Sequence, residues 1–264
     1  MLAGHATPGP LRVVSWHATA FKRLWKLNVL SSFVQPMLYL LGLGVGVGSL
    51  VDRNTGATST LGGLSYVAYV APGLLVTTAM AVCSGESMWP VMGGLTWGRG
   101  YHAISATPLD ARDIVLGHAT WMAIRAGIAA VAVGVALALF PDTRSWGLVP
   151  TVGVAMLMGV AFAMPIMAVA VKQKLDGGFA AIQRFVIIPL FLFGGAFYPL
   201  SQLPVAVQWA ARVAPLWHGV VVARGFTSGR VDALATIGHL AYLAVWGVAG
   251  AVVATRRLRQ RLYP

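Results

Sequence analysis

The chain has 264 residues; 58% are hydrophobic, only 10% are charged, and the mean hydropathy is +0.76. A soluble domain carries about 25% charged residues, so this composition excludes a water-soluble enzyme or binding module. The net charge of +12 would suit a nucleic-acid ligand, but the cations are distributed in a way that gives a different reason for it.

Residues 1–28 read as a cytoplasmic tail. It opens without an apolar core of the signal-peptide type, so no cleavable signal is expected. Within it, Val14, Ala18, Phe21 and Trp25 recur at helical spacing beside Arg12, Lys22, Arg23 and Lys26. That pattern predicts an amphipathic helix over Leu11–Leu27 lying on the membrane surface. Six apolar runs follow, near Val29–Val51, Leu64–Met88, Ile114–Phe140, Gly147–Val171, Phe179–Tyr198 and Ala233–Ala254. Each approaches the roughly 20 residues that cross a 30 Å hydrocarbon core. The expected fold is therefore an all-α polytopic membrane protein: a six-helix domain over 29–254 and a basic cytoplasmic tail over 255–264.

Span one carries Gly42, Gly44, Gly46 and Gly48. Their spacing is wrong for a dinucleotide fingerprint, but Gly42/Gly46 and Gly44/Gly48 each form a small-xxx-small pair. Such a face packs either within the chain or across a subunit interface. The segment Trp97–Gly117 is the most polar interior stretch. It predicts a short helix near Tyr101–Ala106, broken at Thr107-Pro108, then a helix capped by Asp110 with Asp113 in its first turn. Lys172 to Arg184 is a second connection on the same side, with a turn at Asp176-Gly177-Gly178. Pro199–Gly229 holds two apolar segments, Leu203–Ala214 and Leu216–Phe226, punctuated by Pro204 and Pro215. Both are too short to span, and Trp209, Trp217 and His218 suit a headgroup level. A re-entrant hairpin in the outer leaflet is expected, with Pro199 at its entrance.

Cations cluster in both tails and in the connections after spans two and four. Under the positive-inside rule both termini face the cytoplasm, as an even number of spans also requires. Inside the apolar runs, Glu86 and Arg125 stand out. Glu86 precedes Arg99 by 13 residues, and Arg125 follows Arg112 by 13. Equal spacing from the two ends of one connection places them at similar depth, so an ion pair is expected. Arg125 lies roughly 16 Å into its span at 1.5 Å per residue, where a lone arginine costs at least about 2.5 kcal/mol. The pair either fixes helix register or leaves Arg125 lining a path for an anionic headgroup.

Catalytic signatures are missing. The sequence has no G-x-x-x-x-G-K-[ST], no G-x-S-x-G and no H-E-x-x-H. Its six histidines are scattered with no metal-ligand spacing, so no metal site is expected. The single cysteine, Cys83, allows no intrachain disulfide.

Tyr69–Leu75 (YVAPGLL), Glu86-Ser87, Arg99–Gly117 (RGYHAISATPLDARDIVLG) and Pro189–Gly225 together resemble type 2 ATP-binding-cassette (ABC) permeases. The resemblance runs from about Phe33 to the C-terminus. It is nearest to the NodJ-like lipo-oligosaccharide exporters, with the daunorubicin-type drug exporters next. It implies a six-span permease of the cytoplasmic membrane, homodimeric or paired, exporting an amphipathic lipid or glycolipid; drug or antibiotic efflux is the alternative. It also implies that the chain binds no cofactor, and that ATP and Mg are bound by a separate ATPase subunit on the cytoplasmic side. The family's coupling helix maps to Arg99–Leu109, giving Arg99, Tyr101, His102, Ala103, Thr107, Pro108 and Leu109 as the coupling residues. Its interfacial helix maps to Leu11–Leu27, and its outer hairpin to Leu200–Phe226.

Overall fold

The computed structural model describes residues 8–53, 60–175 and 177–263; Asp176, expected in a turn, lies outside them. Among the described residues every regular element is helical. Helix α1 (Gly9–Tyr39) continues through a π-helical stretch, Leu40–Val47, into a final turn at Gly48–Val51. Then come α2 (Tyr66–Thr96), the short α3 (Gly100–Ser105), α4 (Ala111–Ala138), α5 (Leu148–Ala170) and α6 (Gly177–Phe193). Helices α7 (Val205–Val213) and α8 (Pro215–Ser228) precede α9 (Ala233–Leu262).

Five stretches are long and apolar enough to cross a membrane: Phe33–Val51, α2, α4, α5 and α9. The expected fifth span, Phe179–Tyr198, is a shorter helix that ends at Phe193 and carries a π-helical turn at Gln183–Ile187. It ends where Gly195 adopts φ +82, a left-handed conformation that glycine enters without steric cost.

Helix α5 packs against α2, α4, α8 and α9, while α1 lies along α4. Small residues let the backbones approach: a Cβ on Gly159 would lie 2.6 Å from Ala126 and 2.8 Å from Cys83. Around these contacts Leu75, Met80, Met122, Met158, Met164 and Leu216 are fully buried. Ser65 caps α2, accepting from the Ala68 N–H at 3.4 Å, and Asp232 caps α9, accepting from Ala235 at 3.1 Å.

Two expected boundaries are absent. No break near residue 28 separates a surface helix from the first span, because Leu11–Leu27 is the lower part of α1. Gly9 abuts Asp113, Val13 abuts Gly117, His17 stacks on Trp121, and Phe21 covers Arg125. Residue numbers climb together on both helices, so this stretch runs lengthwise along α4. Of the apolar positions read as a membrane-facing stripe, Val14, Ala18 and Phe21 pack against the bundle, while Trp25 is exposed. Likewise, residues 255–262 of the expected basic tail continue the last helix. Helix α9 runs unbroken to Leu262 with Leu258 fully buried. Arg257 donates to the Ala168 carbonyl at 2.8 Å, and Arg261 donates to the carbonyls of Val171 and Gln173. These cations satisfy the exposed carbonyl end of α5, where positive charge is favoured.

The α1–α4 seam gives a direct test. A Cβ on Gly117 would sit 2.5 Å from the Val13 Cβ and 2.7 Å from the Pro10 carbonyl oxygen. Gly117→Val is expected to cost about 1–3 kcal/mol by overpacking and to loosen α1. Limited trypsinolysis should then cut faster after Arg12, Lys22 and Arg23 than in wild type, while cleavage at Arg256 stays unchanged.

Candidate functional site

Three places gather the polar side chains of this apolar bundle. The first is the face where the α2–α4 connection, the C-terminal end of α5 and the end of α9 meet. Helix α2 ends at Thr96, and Arg99 adopts a left-handed backbone, φ 46, which turns the chain sharply into α3. Tyr101 anchors that helix. It is buried, it fills the space beside Gly94, where a Cβ would lie 2.8 Å from its ring, and Trp16 meets it edge-on at 5.6 Å. Burial pushes the Tyr101 phenol above its usual pKa range. Arg99, His102, Ala103, Thr107 and Pro108 are exposed, and Leu109 is partly covered. The Leu109 carbonyl accepts from the Tyr263 hydroxyl at 2.9 Å.

Asp110 then starts α4 with a capping box. Its side chain accepts from Ala111 at 2.7 Å, and the Asp113 carboxylate accepts from the Asp110 N–H at 3.2 Å. The short helix is thus tied to α1 and α2 through Tyr101 and to α4 through the Asp110 cap. Beside it Arg99, His102, Lys174 and Arg261 line a cleft of about 550 Å³ with Leu95 and Thr96, and no acidic group is among them.

The second place is inside the bundle. Glu86 and Arg125 meet: Nε and Nη2 of Arg125 both reach Oε1 of Glu86, each at 2.6 Å. The guanidinium is 2% exposed and the Glu86 side chain 29%. Phe21 covers the guanidinium, its ring centre 4.6 Å from Cζ, a cation–π contact. The enclosed member is therefore the arginine, so Arg125 does not line an open path; the carboxylate is the group at the edge. About two turns towards α3 on α4, His118 accepts from or donates to Ser87 Oγ at 3.1 Å and lies 3.4 Å from His17.

The third place is the end of the bundle opposite α3. Pro204 and Pro215 stand at the starts of α7 and α8, where a missing N–H costs nothing. Pro199 leads a single 3-10 turn, Trp209 is exposed, and Trp217 and His218 are half-buried. His218 Nε2 lies 2.9 Å from the Arg212 carbonyl oxygen. A carbonyl only accepts, so Nε2 carries the proton, and in the neutral ring Nδ1 accepts from His239 Nδ1 at 2.7 Å. Tyr242 stacks on His218 at 4.0 Å.

Sequence reading missed Arg224. It crosses from α8 to stack on Tyr69 at 3.7 Å and donates to the carbonyls of Tyr69, Gly195 and Ala196 at 3.3, 2.9 and 3.4 Å. Its signal was an arginine closing an otherwise apolar segment. Four of the six histidines, scattered in sequence, form the two pairs above. Among the described residues no three His, Cys, Asp or Glu side chains gather as a metal site would require. Of the span-one glycines, Gly48 packs on Tyr66 at 3.6 Å, while a Cβ on Gly42 or Gly46 would meet nothing within 4 Å. The surroundings of Gly44 lie outside the described residues.

Comparison with known proteins places these features in a family. The profile of the ABC-2 type transporters matches residues 13–226. Nodulation protein J of Rhizobium leguminosarum bv. trifolii is 32% identical over 243 residues, covering 92% of this chain and 90% of that protein. Nodulation protein J of Rhizobium meliloti (strain 1021) is 32% identical over 246 residues, covering 93% and 90%. The inner membrane transport permease YadH of Escherichia coli (strain K12) is 24% identical over 216 residues, covering 79% and 77%. No solved structure matches.

Proposed function

The chain belongs to the ABC-2 type transporter family, and from that premise we propose that it is the permease subunit of an exporter for an amphipathic lipid-linked or glycolipid substrate. The similarity to nodulation protein J over nine-tenths of both chains carries this reading. The energy comes from a separate ATPase subunit that binds ATP and Mg. It docks on α3, where Arg99, His102 and Ala103 stand exposed on a helix that Tyr101 fixes to the bundle. The neighbouring cleft, lined by cations without an acid, suits an acidic partner surface. Because α3 is tied to α1, α2 and α4, a movement of the docked ATPase reaches three helices at once.

In this reading α3, the ends of α5 and α9, and the start of α1 face the cytoplasm, and the protein lies in the inner membrane. Helix α6 completes six crossings, and the α7–α8 hairpin enters the outer leaflet. The permease acts as a pair, for which Gly42 and Gly46 offer a face that none of the described residues covers.

The test is reconstitution in proteoliposomes with a P-loop ATPase that copurifies with the chain. A glycolipid of the host should raise ATP hydrolysis severalfold, and daunorubicin should not. Stimulation by daunorubicin alone would make the chain a drug exporter, and movement of glycolipid without any ATPase would overturn the reading altogether.

A further inference from the structure

Between α4 and α5, at the end opposite α3, an apolar groove of about 610 Å³ opens on the flank of the bundle. Val131, Val135 and Ala138 of α4 and Val149 and Val152 of α5 line it at helical spacing. Gly134 and Ala138, with little or no side chain, recess the α4 wall. Val131, Val135 and Val149 stay exposed. From Val131 to Ala138 the floor runs about 10 Å at 1.5 Å per residue, roughly two-thirds of the hydrocarbon depth of one leaflet.

The mouth of the groove is polar. Where the chain turns from α4 to α5, Arg144, Ser145 and Trp146 border it. Ser145 Oγ already donates to the Thr227 carbonyl at 3.0 Å. Arg144 Nε donates to the Ala138 carbonyl at 3.1 Å, which holds the guanidinium at the mouth. Its Nη1 and Nη2 have no partner among the described residues, and no carboxylate lines the groove. Asp142 borders a separate cavity, towards α2 and α8, that Arg144 shares. Trp146 is 91% exposed, and such an amphipathic ring suits the headgroup level.

A free cation at the head of an apolar trough matches an amphiphile with negative charge at one end. Two N–H groups of one guanidinium fit a phosphate bidentately. A zwitterionic head sets its own cation against Arg144. A second copy is also a poorer fit: a two-fold contact presents the same patch to itself, cation towards cation with no acid between. We propose that the α4–α5 groove seats an anionic phospholipid, with one acyl chain on the valine floor and its phosphate on Nη1 and Nη2 of Arg144. The site is independent of the substrate that the permease moves.

The full chain, purified in detergent and stripped of lipid, is titrated with phosphatidylglycerol or phosphatidylcholine, and bound lipids are counted by native mass spectrometry. The first phosphatidylglycerol is expected to bind about tenfold more tightly than the first phosphatidylcholine, the factor that one hydrogen bond to a charged group supplies. Arg144→Gln should remove that preference. Arg144→Lys keeps the charge without the fork and should keep part of it. Val135→Trp fills the floor at an exposed position and should weaken both lipids; it decides the matter if Arg144→Gln does not fold.

Equal wild-type affinity for the two lipids overturns the proposal. So does wild-type phosphatidylglycerol binding in Arg144→Gln or Val135→Trp. Complete displacement of the lipid by glycerol phosphate would make Arg144 a site for a free anion. A disulfide between two copies of Val135→Cys would make the groove a subunit contact. Either of these results also overturns it.

Discussion

Arg125→Leu is expected to abolish recovery of the folded permease. The substitution leaves the Glu86 carboxylate without the guanidinium that now meets it at 2.6 Å, and removing one partner of a buried pair costs about 3–5 kcal/mol. That is a large share of the stability of a typical domain. The double variant Glu86→Leu/Arg125→Leu removes both charges, and replacing a buried pair by apolar side chains is often neutral or stabilising. It should recover most of the monodisperse peak in size-exclusion chromatography, with a thermal midpoint near that of wild type. A single Arg125→Leu variant as stable as wild type would show that the pair does not hold α2 to α4.

Ala103→Pro should separate ATP hydrolysis from transport. Ala103 is exposed, so no core contact is lost, but its N–H donates to the Arg99 carbonyl at 3.0 Å. Proline removes that bond and its ring clashes with the same carbonyl, at a cost of about 3 kcal/mol confined to one helical turn. In proteoliposomes with the ATPase, transport per ATP should fall at least about tenfold, the ratio that 1.4 kcal/mol of lost linkage produces. Thermal stability of the permease should change little, because Tyr101 keeps its place against Gly94 and Trp16. Wild-type transport would rule α3 out as the link between motor and membrane helices.

How much was legible in the sequence depended on the range over which each residue acts. Local signals read well. Asp110 and Asp113 sit three apart and form the capping box, and Pro204 and Pro215 mark the starts of α7 and α8. The Glu86–Arg125 contact was legible for a less local reason: two helices leaving one short connection must run side by side, so equal offsets give equal depth.

Signals that depend on neighbours in space failed. The stripe Val14, Ala18, Phe21 suits a membrane surface and another helix equally well, and only the facing Gly117, Trp121 and Arg125 decide between them. The change from basic to apolar residues near 28 reads as a boundary, yet the helix runs through it. The histidine pairs join residues 101 and 21 positions apart, beyond any spacing rule. Arg224 binds backbone carbonyls, and carbonyls carry no sequence signature.

The unbroken course from Gly9 to Val51 gives the molecule a mechanical axis. The first helix touches Tyr101 through Trp16 near one end and Tyr66 through Gly48 at the other, roughly 48 Å apart along the helix at 1.5 Å per residue. A torque applied at the inner contact therefore arrives at the opposite face as rotation. Only the wide turns at Leu40–Val47, where glycine alternates with larger residues, offer slack, so they set how much of the twist is transmitted and how much is absorbed.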